Sequence, residues 1–265
     1  MSSAGNKFLP PSISVVIPTY RRPELLGRLL KSIAAQTRLP EEVIVVDDAS
    51  GMDDAYALCI GRYQKRLPKL EYIRLESGGG APRARNIGLR AAQGSWVALV
   101  DDDDEWLPEK LEAQCEIAKS AEPKLGLIYS WANVVRSDGQ VVRKNEATVN
   151  GNALKAILHN NFITSPTVIV RRSAIFEAGL FDEALPSCQD WDMWIRIFIA
   201  NYSCACVPKH TATYYQHMQP SVGNSSKALK GHFLFLKRHW SLFLSHTGIK
   251  GLSSFVVGVL RIWIR

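Results

Sequence analysis

Three short apolar runs, each broken off by proline or acid, constrain this chain more than any other feature. They are Ile13-Ser-Val-Val-Ile17 before Pro18, Glu42-Val-Ile-Val-Val46 before Asp47-Asp48, and Trp96-Val-Ala-Leu-Val100 before Asp101 to Asp104. Their apolar residues are continuous rather than alternating, so such strands must be covered on both faces. Helical periodicity fills the gaps, from Leu25 to Ala35 after Pro23, from Met52 to Lys65 and from Arg83 to Ala92, with Leu70 to Leu75 as a further strand. Pro108 opens another helix toward Lys119. The pattern predicts an α/β fold, doubly wound, with a mostly parallel sheet and helices on both faces. Ligands in such folds bind beyond the carboxyl ends of the strands. Pro18-Thr19-Tyr20, Asp47-Asp48 and Asp101 to Asp104 are therefore expected along one edge.

The second half reads less regularly. Gly126 to Val135 is strand-like, Ser137-Asp-Gly139 is a hairpin turn into Val141-Val142, and Asn152 to Leu158 is a short helix. Thr167 to Val170 reads as a strand, and Trp191 to Ala200 as an amphipathic helix entered from Gln189-Asp190. No linker or repeat divides the 265 residues, so the expected organisation is one domain, 1–226, with a basic amphipathic extension, 227–265.

Charge is distributed unevenly. After Asp192, the last acid, Arg196, Lys209, Lys227, Lys230, Lys237, Arg238, Lys250, Arg261 and Arg265 are unopposed and outweigh the whole formal charge of +7. Such a tail seeks anions. Its bases alternate with apolar runs and with Trp240 and Trp263, which fits a helix lying at an anionic membrane surface or packed on protein, and argues against nucleic acid. The stretch Ile249 to Ile264 reads as too short and too charged to span a bilayer. Cys59, Cys115, Cys188, Cys204 and Cys206 form no metal or disulfide pattern and point to a reducing cytosol, with Cys204 and Cys206 on one face of a strand. The opening MSSAGNKFLPPS lacks the basic start and apolar stretch of a signal peptide.

Asp101-Asp102-Asp103-Asp104 follows Val100 without a spacer, so the loop is tethered to the sheet. Crowded carboxylates repel unless a cation compensates them, and hard ions such as Mn²⁺ or Mg²⁺ favour oxygen ligands while leaving positions for diphosphate. Gly78-Gly79-Gly80 precedes Arg83 and Arg85, but the dinucleotide spacing fails because Arg83 stands where a third glycine belongs. A loop feeding Arg83 and Arg85 toward phosphate is the better reading. Asp190 is either the N-cap of the following helix or a general base, and Trp191 with Trp194 either a sugar-facing wall or core. His232, His239 and His246 repeat every seven residues; with no carboxylate beside them they read as an interfacial stripe, while His217 is a candidate site residue.

Together these segments resemble family 2 glycosyltransferases of the GT-A fold, from Ser14 to about Ser221. The matching motifs are Val15-Val-Ile-Pro-Thr-Tyr20, Val45-Val-Asp-Asp-Ala-Ser50, Ala84-Arg-Asn-Ile-Gly88, Val100 to Leu111, Gln189-Asp-Trp-Asp-Met-Trp194 and Tyr214-Tyr-Gln-His217. The resemblance implies that Pro18, Tyr20 and Asp48 hold the nucleoside, with Asp48 on the base. Asp102 and Asp103 correspond to the D-x-D region, Asp103 and Asp101 with His217 being the metal candidates, and Asp190 the general base. Gln189 replaces an acid often found there. The implied reaction is inverting transfer of one sugar from a nucleotide-diphosphate sugar, a UDP-sugar first, to a glycan hydroxyl. Absence of the Q-x-x-R-W motif argues against polymerisation. With the cationic tail, the expected acceptor is a sugar on a polyprenyl diphosphate carrier in surface-polysaccharide synthesis, at the inner face of the cytoplasmic membrane. Two rivals differ in kind: a sugar-nucleotide pyrophosphorylase, which would carry a glycine-rich signature where Pro18-Thr-Tyr20 stands, and a non-catalytic nucleotide-sugar-binding module.

Overall fold

The computed structural model describes residues 10–136, 138–216 and 226–263. Strands β1 (Ile13–Thr19), β2 (Glu42–Asp47), β3 (Leu70–Arg74) and β4 (Trp96–Leu99) alternate with helices α1 (Pro23–Ala34), α2 (Asp53–Gly61) and α3 (Ala81–Ala91). Then come β5 (Glu105–Trp106), α4 (Lys110–Lys119), β6 (Leu125–Arg136), β7 (Val141–Asn145), α5 (Leu154–His159) and a 3-10 turn at Ser165–Thr167. The remainder is β8 (Ile169–Arg171), α6 (Arg172–Glu177), α7 (Gln189–Ile199), β9 (Ser203–Gln216) and α8 (Ser226–Trp263).

Among the described residues these strands form one nine-stranded sheet in the order β3-β2-β1-β4-β8-β6-β9-β5, with β7 on β6. β1, β2, β3, β4, β6 and β9 run the same way; β5, β7 and β8 run against them. The mostly parallel reading therefore holds, and the antiparallel members cluster in the irregular second half. Pro166 lies in the 3-10 turn, which delays the expected strand at Thr167 until Ile169.

The apolar runs are explained by the two cores. Ile13, Val15 and Ile17 point to one face, where Val43 and Val45 join α1, α2 and α4. Val16, Ile44 and Val46 point to the other, beneath α3, α5, α6, α7 and α8. Alternation is present, but both sides are inside. Close approach of α3 to the sheet depends on Gly88, where a Cβ would lie 2.5 Å from Val16 Cγ1 and 3.3 Å from Val46 Cγ2. Gly88→Ala is expected to cost about 1–3 kcal/mol through overpacking, read as a lower midpoint in a urea titration; an unchanged midpoint would show that α3 can lift freely.

Helix α8 packs on the domain as well as carrying charge. Ala228, Phe235, His239 and Phe243 are buried along one stripe, and Leu252 and Phe255 pack against the same core. Gly231 lies so close to Ser187 that no side chain fits between them. Gly248, at φ 66°, interrupts the helical dihedrals in the left-handed region that favours glycine. The segment Ala228–Val259 is long and apolar enough, by length and composition, to cross a membrane. That apolar length exceeds the expectation drawn from Ile249 onward, because residues before Gly248 add to it, and little of its most apolar part is buried.

The histidine stripe is corrected. A carboxylate does accompany it, since His239 Nε2 lies 2.8 Å from Asp192 Oδ1 inside the protein, and His232 Nδ1 lies 2.7 Å from its own helix at the Ala228 carbonyl. Cys204 and Cys206 are both buried on β9 as small core residues.

Candidate active site

Parallel pairing brings the ends of β1, β2 and β4 to one edge, with Thr19 opposite Asp47 and Val16 opposite Leu99. Beyond that edge lies a cleft of about 1070 Å³. Pro18, Tyr20, Asp48, Arg85, Asp101, Asp102, Asp103 and Asp190 all line it, whereas Arg83, Trp191 and Trp194 do not. His217 lies outside the described residues.

The aspartate loop is a tight turn closed by the Asp104 amide donating to the Asp101 carbonyl (3.2 Å). β5, paired with β9, pins its far end, and the Trp106 indole donates to the Pro166 carbonyl. Asp102 accepts from Thr19 Oγ1 (2.7 Å) and, at 3.4 Å, from Arg22, which also donates to Asp103 (2.7 Å). Burial pushes the Asp102 pKa up to about 6, with repulsion from Asp103 and Asp101 adding to it and Thr19 and Arg22 opposing. Asp104 is wholly buried without a well-formed hydrogen bond. Burial first, then Asp101 and Asp103, push its pKa well up against a pull from the Tyr215 backbone.

Arg85, buried on α3, reaches both walls of the cleft. Its Nη2 donates to Asp101 Oδ1 (2.5 Å) and its Nη1 to Gln189 Oε1 (2.7 Å). Gln189 thus keeps the hydrogen bond an acid would make without adding a charge beside Asp190. Arg83 turns the other way, donating to Ser77 in its own loop. Asp48 accepts from the amides of Gly79 and Gly80, both at 2.8 Å, which holds the glycine loop against β2. Tyr20 stands exposed at the rim.

Asp190 is not the N-cap of α7. Cys188, in the left-handed conformation, takes that position, and Asp190 sits in the first turn. Its Oδ1 accepts from the Trp191 amide (2.8 Å) and its Oδ2 from Asn161 Nδ2 (3.3 Å). Burial pushes its pKa up; the Trp191 amide, Arg85 and Asn161 pull it back, while Asp101 adds repulsion. The sugar-facing wall is also corrected. Trp194 is fully buried and Trp191 packs, with tilted rings, against Phe235 and Phe255 from α8, so both belong to the core.

Among the described residues no three His, Cys, Asp or Glu side chains are assembled as metal ligands. Arg22 and Arg85 supply the compensating charge that the sequence reading assigned to an ion. The donor chemistry still suits a hard divalent cation: crowded carboxylate oxygens, one with its pKa raised to about 6 and one buried without a good partner.

Arg22, Asn161 and Thr164 are not singled out by the sequence, and Thr19 only as part of the Pro18-Thr19-Tyr20 cluster. Arg22 lies just beyond the end of β1, where position alone would have marked it. Asn161 and Thr164 lie in coil between α5 and the 3-10 turn, with no periodicity to expose them.

Comparison with known proteins points to one family. The glycosyl transferase family 2 model matches residues 14–179. An uncharacterised glycosyltransferase of Methanocaldococcus jannaschii is 28% identical over 87% of this chain and 80% of that protein. A putative colanic acid biosynthesis glycosyl transferase of Escherichia coli, WcaA, is 26% identical over 88% of this chain and 83% of its own length. An uncharacterised glycosyltransferase of Rickettsia conorii is 30% identical, but the chain spans only 31% of that protein. In three dimensions the crystal structure of S. aureus TarS 1–349 in complex with UDP-GlcNAc superposes with a TM-score of 0.69 at 21% identity, over 95% of this chain and 82% of that one. The fold is GT-A.

Proposed function

We propose, from the premise that the chain belongs to glycosyl transferase family 2, that it moves one sugar with inversion from a nucleotide-diphosphate sugar, a UDP-sugar first, to a hydroxyl of a glycan acceptor. The observation that carries this reading is the single guanidinium of Arg85 joining the aspartate loop to the first turn of α7, so that a leaving-group side and a base side face one cleft. In the proposed step the acceptor oxygen attacks the anomeric carbon while its proton passes to Asp190. The bond from that carbon to the diphosphate oxygen breaks, and the pair of electrons leaves with the nucleoside diphosphate. Asp190 must lie within hydrogen-bond reach of the hydroxyl. Pro18, Tyr20 and Asp48 are assigned to the nucleoside, Asp102 and Arg85 to the donor's diphosphate-sugar portion. Asp103, with Asp101 beside it and His217 as a further candidate, would hold Mn²⁺ or Mg²⁺. That ion, when bound, neutralises charge on the departing diphosphate. Arg85 stabilises the same charge from the protein side. The test is a screen of nucleotide sugars with Mn²⁺ or Mg²⁺ against a lipid-diphosphate-sugar acceptor, following free nucleotide. Release in no combination, including into water, would end the reading.

The acceptor is assigned to a polyprenyl diphosphate carrier of surface-polysaccharide synthesis, with the protein peripheral at the inner face of the cytoplasmic membrane and residues 227–265 as the contacting extension. Support comes from the unopposed cations of the tail and from Phe233 and Trp240, 66% and 53% exposed on the outer side of α8. Phe233→Ser with Trp240→Ser is expected to reduce the partition constant onto anionic vesicles about 10²–10⁴-fold, since two large apolar side chains of roughly 1.5–3 kcal/mol each leave the interface. Unchanged partitioning would remove the membrane assignment while leaving the chemistry intact.

A further inference from the structure

Two buried polar atoms, on residues that line the cleft, have no partner in the fold. Asn161 Oδ1 and Thr164 Oγ1 are shielded from solvent and, among the described residues, make no hydrogen bond. Both residues line the cleft, and Asn161 reaches Asp190. Such atoms destabilise a folded chain unless a partner arrives, so each asks for an explanation. The orientation of the Asn161 amide follows from its neighbour. An ionised carboxylate only accepts, so Nδ2 faces Asp190 Oδ2 at 3.3 Å and Oδ1 is left as a bare acceptor. The Thr164 carbonyl is taken by the Thr167 hydroxyl (2.7 Å), whereas its own hydroxyl is unspent.

We propose that Asn161 and Thr164 form an acceptor subsite that reads the sugar hydroxyl adjacent to the attacking one. Two hydroxyls on neighbouring ring carbons lie about one hydrogen-bond length apart. The amide N–H and carbonyl of Asn161 branch from a single carbon. A hydroxyl donating to Asp190 therefore brings its vicinal partner within reach of Asn161 Oδ1, and the Thr164 hydroxyl, free to donate or accept, completes that partner. Asn161 thus has two duties: it orients the base and it recognises a vicinal diol. Thr164 has the second alone. The ligand class is an acceptor sugar with a free hydroxyl beside the position that receives the new bond. This rests on Asp190 acting as the base.

The test uses the full chain with p-nitrophenyl hexosides as acceptors, each compared with monodeoxy analogues at the carbon beside the attacking hydroxyl. The wild type is expected to disfavour the deoxy analogue about 10–100-fold in kcat/KM, because the subsite's polar atoms are then left unpaired. Asn161→Ala and the near-isosteric Thr164→Val should raise acceptor KM for the intact hexoside and lose most of that discrimination, with donor KM unmoved. Thr164→Val guards against misfolding, as it changes only a hydroxyl. Variants that discriminate as the wild type does would overturn the subsite, as would a rise in donor KM, which would make it a donor contact. A wild type that hydrolyses a nucleotide sugar into water yet accepts none of the hexosides would sink this inference while leaving the proposed function standing. Consumption of no nucleotide sugar at all would instead remove the reading beneath it.

Discussion

Replacing Asp190 by asparagine is expected to cut turnover about 10²–10⁴-fold, the usual contribution of a positioned general base, while leaving donor affinity intact. The two side chains have nearly the same shape, so the packing of α7 survives and only proton acceptance is lost. Nucleotide release at saturating donor gives the turnover, and calorimetric titration with the nucleotide sugar gives the affinity. A variant that transfers at the normal rate would remove Asp190 from the mechanism. The wild type carries a second signature. Burial pushes the Asp190 pKa above the ordinary carboxylate value. The base form is therefore depleted as pH falls through that raised value, and the acid limb of kcat/KM lies at higher pH than for an exposed aspartate. The asparagine variant should lack that limb.

The other large effect is on stability. Asp192 is fully buried, and its oxygens serve Arg196 Nε (2.8 Å), Arg238 Nη1 (3.1 Å) and His239 Nε2 (2.8 Å). Arg238 also holds Asp182, so one network fastens α8 to α7 and to the loop before it. Burial alone would raise the Asp192 pKa; the His239 hydrogen bond and the two guanidinium charges overcome that and hold it below the usual range. Asp192→Ala leaves the partly buried Arg196 and the buried His239 without their partner, while Arg238 keeps Asp182, and is expected to cost about 3 kcal/mol, read from urea midpoints at neutral pH. The sign with pH follows from the lowered folded-state pKa. The contribution is complete above the unfolded-state carboxylate pKa and disappears as pH falls through the lower folded value. Wild type and variant should converge in strong acid, and equal midpoints at neutral pH would show that the network holds nothing.

Legibility in the sequence tracked the range of the interaction. Val15, Val16 and Ile17 announce a strand with two covered faces because the signal is local, and the polar residues after β1, β2 and β4 could be assigned to one edge because parallel pairing leaves no other choice. Asp190 was legible as a candidate, but its station within α7 was not, since Cys188 as N-cap requires a left-handed residue that composition does not mark. Trp191 and Trp194 looked equally suited to a sugar or to a core until α8 supplied Phe235 and Phe255 as neighbours. The Asp192 network joins residues 46 and 47 positions apart, and Arg22 meets an aspartate loop 81 positions away. No window of sequence contains such pairs. Asn161 and Thr164 were invisible for a different reason: their meaning lies in bonds they do not make.

Asp192 follows Asp190 by two residues, about half a helical turn, so the strut that braces the proposed base from behind is delivered by α8. Trimming the segment from Ala228 to Phe243 to gain solubility, or crowding it with a bulky tag, would slacken that brace. Low turnover in such shortened material would then report mechanical damage to the catalyst rather than a poor choice of substrate.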